Sequence, residues 1–442
     1  MTVTAVADST VSPVGTTTDR IGSLDVLRGI ALLGMFLVHF NYGTTGGGSS
    51  GALYQRTVDL LFEERFWTMF GILFGVGFAV QLRRAEARGA PFVPMYARRL
   101  LMLAAVGLFT HAVFGYHVLF EYAVWGFPLL ILRRLSTRAL ILALVISAAS
   151  WSLYEIARAT YGVATIGETA YRAQLDAEDA RYETFRRANL DAQHAANYST
   201  VFKARLAHMA WFYAQPYSFL PVNTLTLFLI GVLGLRLGLF DHPANHQRLI
   251  VALMIFGVAS WAAATWLLPR WTAMPDGSLV RIITIVRFRT GFGLVRGMWL
   301  TFAYMGVVLL LVARDSAWLR RLSMFGWTGR MALTNYVIQV AILDLVFSDY
   351  SLGVQLTPLA GLAAARWRFS AWMPCSADGG SRASASDRSS GSGDRRPTPV
   401  VSRCCWRVES SARPRFELSQ RASENSPNSA QHGFDKHENA GQ

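Results

Sequence analysis

The chain has 442 residues, 52% of them hydrophobic and 16% charged, with a formal net charge of +14. A soluble domain carries about a quarter charged residues, so this balance excludes an ordinary soluble enzyme and points to a polytopic membrane protein. The arginine excess sits in short loops between apolar runs and not along one basic face, which excludes a nucleic-acid partner and leaves membrane lipids as the expected surroundings.

Residues 1–21 read as a disordered N-terminal segment. The first span, 22–42, lacks a small-residue cleavage site after its apolar run and is expected to be a retained helix. It is unusual in its polar content. At about 100° per residue, Asp25 and Arg28 lie one turn apart on one side. His39 falls within roughly 40° of that face and about 16–21 Å further along the axis, from the rise per residue. Ionisable groups in a bilayer are costly unless paired or turned to a cavity, so they mark a functional site by default. The competing reading is an interfacial ion pair, with His39 capping the helix.

Further spans follow at 65–82, 97–115, 118–132 and 138–157. In the second span Phe66, Phe70, Phe74 and Phe78 recur every fourth residue beside Gly71 and Gly75, a small-residue face that lets helix backbones approach closely. This is a packing pattern. Gly75-Val76-Gly77 is no phosphate loop, since no strand precedes it and no lysine follows. His111 and His117 stand at the end of the third span, near Glu121 and Tyr122, at the level His39 reaches. Three histidines at one depth suit a general base with orienting partners. They lack the spacing of a zinc site, and no metal is expected.

Residues 158–208 are charged but nearly balanced and carry Tyr171, Tyr182, Phe185 and Tyr198, which reads as amphipathic helices on the outer surface. Spans at 216–238, 249–268, 291–313 and 330–347 follow. The ninth opens Gly329-Arg330-Met331, with Asn335 and Gln339 one turn apart on one face. Amides inside a bilayer need partners, either another helix or a ligand. A guanidinium at a helix mouth suits a phosphate-bearing ligand.

Arg83, Arg84, Arg88, Arg98 and Arg99 follow the second span, Arg133, Arg134 and Arg138 the fourth, and Arg314, Arg320 and Arg321 the eighth. All fall on one side if the N-terminus is cytoplasmic. Arg270, Arg281, Arg287 and Arg289 stand against this, as a cationic outer lining or a weakness in the topology. From about Arg366 the chain turns Ser- and Arg-rich and carries all three cysteines, Cys375, Cys404 and Cys405. Such a segment is expected to be disordered. The Leu359–Ala365 run resembles a tenth helix never completed, as a shifted reading frame near 360–370 would produce.

The expected architecture is therefore an all-α, polytopic transmembrane helix bundle of about nine helices with a disordered C-terminal tail. It divides into 1–21, a five-span group 22–157, an external amphipathic segment 158–215, a four-span group 216–350 and the tail 351–442.

Arg20, Leu24-Asp25-x-x-Arg28-Gly29 and Gly34 resemble the opening of the YeiB-like bacterial membrane proteins, a family of unknown function. Phe66 to Phe78 is similar to that family's second helix. Arg98-Arg99-Leu100, His111 and Tyr122-Ala123 resemble its third and fourth, and Gly329 to Tyr336 with Gln339 its late motif. His39 stands where the family usually has asparagine, His117 where it has aspartate, and its final helix is missing here. Leu24 to Ala31 with His39 also resembles, more distantly, the first helix of transmembrane acyltransferases. These are the type three O-acetylating enzymes and heparan-alpha-glucosaminide N-acetyltransferase, and His39 matches their essential histidine. That likeness implies an acyl-coenzyme A donor and a small-molecule or glycan acceptor. Arg28, Arg330, Asn335 and Gln339 would then hold substrate, Asp25 would orient Arg28, and His39 with His111 would deprotonate the acceptor. Two other readings stay open, a transporter of a small polar or amphipathic molecule and an inert scaffold, although no inverted repeat marks a transporter.

Because the body is free of cysteine before Cys375, single cysteines report topology directly. An Ala180→Cys variant is expected to react with an impermeant thiol reagent in intact cells, following the arginine asymmetry. Labelling only after lysis would reverse the orientation.

Overall fold

Helix α1 (Gly22–Tyr42) is the axis of the molecule, with its acid, Asp25, in the first turn and His39 in the last, as the helix dipole favours. The computed structural model describes residues 22–44, 48–116, 118–215, 224–267, 278–280, 283, 296–315 and 317–357. The N-terminal segment, His117, Arg270, Arg281, Arg287, Arg289 and the Ser/Arg-rich tail lie outside these. Helices α2 (Gly48–Leu61), α3 (Arg65–Ala87), α4 (Phe92–Phe114), α5 (Val118–Leu132) and α6 (Thr137–Ile166) follow. Then come α7 (Glu168–Gln193), α8 (Tyr198–Ala214), α9 (Thr224–Arg236), α10 (Gln247–Ala262) and α11 (Arg296–Arg314). The short α12 (Ala317–Arg321) and α13 (Ser323–Arg330) lead into α14 (Ala332–Phe347). The chain is all-α: the described residues hold no strand, only an isolated bridge between Thr44 and Leu356.

Among the described residues, five helical stretches are long and apolar enough to cross a bilayer: Gly22–Asn41, Gly48–Ala87, Phe92–Phe114, Thr137–Ile166 and Pro243–Trp266. The pair α13–α14, bent by 83°, makes a sixth if counted as one, and Val118–Leu132, Thr224–Arg236 and Met298–Arg314 are shorter apolar helices. Length and apolarity alone therefore stop short of the expected nine. Large apolar side chains such as Ile131 (79% exposed) and Ile255 (65% exposed) face outward, an arrangement suited to lipid and not to water. The sixth helix also runs past the boundary at 157 to Ile166 and ends at Gly167, whose φ of 83° cannot continue it.

Glycine decides how closely the helices pack. A Cβ on Gly75 would lie 2.0 Å from the carbonyl oxygen of Phe228, and one on Gly231 2.0 Å from that of Ile72, so α3 and α9 touch backbone to backbone. The phenylalanine series of α3 packs across these contacts. Phe66 stacks on Tyr304, Phe74 on Phe228 at 4.4 Å between centroids, and Phe78 meets Phe92 and Tyr96 edge-on. Thr68 and Thr301 share a buried 2.6 Å hydrogen bond between α3 and α11.

The same device joins α1 to α13. A Cβ on Gly29 would lie 1.9 Å from the carbonyl oxygen of Phe325, and one on Gly329 1.9 Å from that of Asp25. Helix α3 runs antiparallel to α1, since Gly34 faces Phe66 while Gly77 faces Arg28. Helix α14 runs parallel to it, with Gln339 bonded to Leu32 and Phe347 against Phe40. The bundle thus has a proximal end, where α1 begins, and a distal end with His39 and Phe62–Glu64.

Helices α7 and α8 pair through Trp211, whose ring lies 5.1 Å from Tyr182 and 5.2 Å from Phe185. A buried ion pair fixes α8 to α14: Arg205 Nη2 donates to Asp344 Oδ1 at 2.5 Å, and both side chains are under a tenth exposed. Arg205 also donates to the carbonyl of Val113, while Ser348 and Tyr350 donate to Asp344. Burial acts to lower the Arg205 pKa, but hydrogen bonding and attraction from Asp344 and Tyr350 prevail and hold it above its ordinary value.

Gly329→Val is expected to lower the stability of the purified protein by about 1–3 kcal/mol or more, the cost of overpacking a close contact. Thermal unfolding in detergent measures it. A melting curve equal to wild type would mean that α1 and α13 separate freely.

Candidate functional site

The polar residues of α1 fall into two groups at opposite ends of the helix. At the proximal end Arg28 Nη1 lies 3.4 Å from Asp25 Oδ1, one turn away. Arg330 Nε lies 4.0 Å from the other oxygen of the same carboxylate. Asp25 therefore sits between two guanidinium groups brought from α1 and α13. The glycine crossing makes this possible, since Gly329 seats the end of α13 on the Asp25 backbone. Gly77 likewise leaves room for Arg28, whose Nη2 is 2.9 Å from where a Cβ would stand. The Arg330 guanidinium lies 4.4 Å from the centre of the Trp327 ring, a cation–π contact that holds it in place. The carboxylate is buried, whereas Arg28 and Arg330 stay 28% and 45% exposed. Two oriented guanidiniums with open edges suit an anionic, phosphate-like group.

Asn335 and Gln339 have protein partners. Asn335 Nδ2 donates to the Thr328 carbonyl at 2.8 Å, across the bend between α13 and α14. That carbonyl lies in the last turn of α13, where intrahelical donors run out. Gln339 Nε2 donates to the Leu32 carbonyl of α1 at 3.2 Å, and its Oε1 is buried without a hydrogen-bond partner. Of the two amides, Asn335 holds the bend that places Arg330, and Gln339 ties α14 to α1.

At the distal end His39 lines a cavity of about 410 Å³ together with Glu63, Glu64, Trp67, Glu121, Tyr122 and Tyr336. The His39 ring lies 4.8 Å from Tyr116 and 6.4 Å from Tyr336, measured between centroids. Its Nδ1 and the Tyr336 hydroxyl are buried without hydrogen-bond partners. The Tyr122 hydroxyl donates to the Trp67 carbonyl at 2.9 Å and fixes that wall.

His111 is placed elsewhere. It is fully buried on α4 and faces α8, with Nδ1 3.5 Å from the Tyr213 hydroxyl and its ring 5.9 Å from that of His208. It is not among the described residues that line the His39 cavity. His117 lies outside the described residues. No group of three or more His, Cys, Asp or Glu suited to a metal occurs among the described residues.

Sequence reasoning passed over Glu63, Glu64 and the Arg205–Asp344 pair. Asp344 could have been found: a carboxylate near the end of an apolar helix demands a cation, and Arg205 is one of two, with Lys203, in an aromatic stretch.

Asp25→Asn is expected to cost about 1–2 kcal/mol of stability, because it removes the carboxylate that Arg28 and Arg330 share, reduced by their partial exposure. Chemical unfolding of wild type and variant measures this. A variant as stable as wild type would show that Asp25 holds neither arginine.

Two family models match the chain. Residues 20–177 match the catalytic part of heparan-alpha-glucosaminide N-acetyltransferase, and residues 234–377 match a protein family of unknown function, DUF418. An uncharacterized protein of Bacillus subtilis, YxaH, is 25% identical over 370 residues, which cover 78% of this chain and 86% of that one. An uncharacterized 39.9 kDa protein from the amylase 3' region of Bacillus acidopullulyticus is 42% identical over 100 residues, covering 22% of this chain and 29% of its own. No solved structure matches. The likeness expected from the α1 and α13–α14 motifs is borne out: the chain is a helical, membrane-type protein with a DUF418 match in its second half and an acyltransferase-like match in its first.

Proposed function

We propose that this protein is a transmembrane acyltransferase of the plasma membrane, with the N-terminus in the cytoplasm. In this reading it moves an acyl group from a coenzyme A thioester to a small-molecule or glycan acceptor. The observation that carries it is the acyltransferase-like match over 20–177, which contains Asp25, Arg28 and His39 on one helix. Arg28 and Arg330 bind the phosphates of the donor, and Asp25 sets their spacing. His39 lies 14 residues beyond Asp25, about 21 Å along the axis, so the donor's acyl arm extends through the bundle to the distal cavity. There the imidazole takes the proton of the acceptor hydroxyl or amine as its oxygen or nitrogen attacks the thioester carbonyl. The C–S bond breaks, and the proton passes to the departing thiolate. A neutral imidazole suits this role because one of its ring nitrogens carries a lone pair free to accept a proton.

A transport reading is favoured by one observation, the 83° break between α13 and α14, since broken helices frame the binding sites of many transporters. The two readings separate cleanly, because transport forms no covalent product.

The test uses the purified full chain with radiolabelled acetyl coenzyme A and a panel of amine and hydroxyl acceptors. His39→Ala is expected to retain donor binding while transfer falls by a factor of about 100–10,000, the contribution of a positioned base. Arg330→Ala is expected to weaken donor binding about tenfold, the loss of one charge-assisted hydrogen bond. Wild-type protein that neither hydrolyses nor transfers from the thioester overturns the reading. A fully active His39→Asn variant removes His39 from the role of base.

A further inference from the structure

We infer that Tyr336 is a catalytic residue of the distal cavity: its hydroxyl donates the hydrogen bond that receives the negative charge forming on the thioester carbonyl oxygen. Tyr336 thereby completes the acyl-transfer reading, on which this assignment rests. When the acceptor's oxygen or nitrogen attacks the carbonyl carbon, the C=O electron pair moves onto the carbonyl oxygen. As the intermediate collapses, the pair returns, the C–S bond breaks, and the thiolate takes the proton that His39 removed. The His39 nitrogen that accepts this proton has no hydrogen to offer the carbonyl oxygen. A separate donor must face that oxygen, placed before the charge develops.

Tyr336 meets this requirement. It is 2% exposed, it lines the cavity together with His39, and its hydroxyl is buried without a hydrogen-bond partner among the described residues. Such a hydroxyl costs free energy in the resting protein, and native structures keep few of them. A bound carbonyl oxygen supplies the acceptor it lacks. The Tyr336 and His39 rings come from α14 and α1, with centroids 6.4 Å apart. Both therefore border the same part of the cavity, where a reacting atom must sit about 3 Å from each working group. Tyr122 does not fill the role, because its hydroxyl already donates to the Trp67 carbonyl. Thr224 also lines the cavity, but a phenol is more acidic than an aliphatic alcohol and the stronger donor. The Tyr336 hydroxyl is also held in place. Asn335 pins the preceding turn to the Thr328 carbonyl, and Gln339, one turn later, pins α14 to the Leu32 carbonyl of α1. A donor fixed in advance needs no reorganisation during the reaction.

The experiment compares full-length wild type and Tyr336→Phe in detergent, with acetyl coenzyme A and the panel of amine and hydroxyl acceptors, hydrolysis by water included. Because no hydrogen bond within the protein is lost, the ligand-free variant is expected to unfold at the wild-type temperature or above it. A lowered unfolding temperature would show that the hydroxyl serves a protein partner, and overturns the assignment. The variant's kcat is expected to fall about 100- to 1,000-fold, the cost of removing one such donor, with KM for the thioester unchanged. A rise in KM at full kcat would place the hydroxyl in donor binding and overturns it as well. The pH dependence of kcat is expected to keep its wild-type midpoint, since no hydrogen bond joins Tyr336 to the imidazole. A displaced midpoint would make Tyr336 a partner of His39 and not of the carbonyl oxygen. An active wild type with an equally active Tyr336→Phe overturns this assignment alone. Wild type inactive toward the thioester overturns the acyl-transfer reading, and this assignment falls with it.

Discussion

The structure depends on one close contact, the crossing of α1 and α13 at Gly29 and Gly329. In lipid no hydrophobic force draws two apolar helices together, so backbone proximity and polar contacts must hold them. Here the two work as one unit. The missing side chains let the backbones meet, and that approach puts a third charged group beside the Asp25–Arg28 pair. The bend after Arg330, held by Asn335, then turns the chain so that α14 can run alongside α1 as far as His39 and Tyr336.

From this constraint the division of the candidate site follows. Asp25, Arg28 and Arg330 occupy a partly open position at the proximal end, where one carboxylate orients two guanidiniums. His39 lines an aromatic cavity bordered by carboxylates at the distal end. A single helix carries Asp25, Arg28 and His39, so their separation is set by its rise.

Much of this was legible in the chain. The apolar runs predicted helices because a span needs a certain number of apolar residues, and that is a local property. The Asp25–Arg28 pairing was legible for the same reason, being one helical turn. Arg330 was legible as a charge but not as a partner of Asp25, because their meeting depends on a helix crossing between residues 305 apart in number. His39 and His111 illustrate the limit most clearly. Their depths along two helices agree, yet depth says nothing of the direction each faces, and His111 turns to α8 and its Tyr213 and His208. Glu121 was legible beside the histidines, but Glu63 and Glu64 were hidden because they sit in a short joint where no periodicity operates.

The Arg205–Asp344 pair has a consequence for how this sequence can change over time. Neither partner is exposed enough for water to replace the other, and Asp344 also receives Ser348 and Tyr350. Loss of either charge alone strands its buried counterpart, whereas loss of both in favour of packed apolar residues is tolerable. Positions 205 and 344, although 139 residues apart, are therefore bound to a shared fate: they drift together or not at all. Homologues that lack the arginine should lack the carboxylate too, and the contact between α8 and α14 can be traced through their sequences as a correlated exchange.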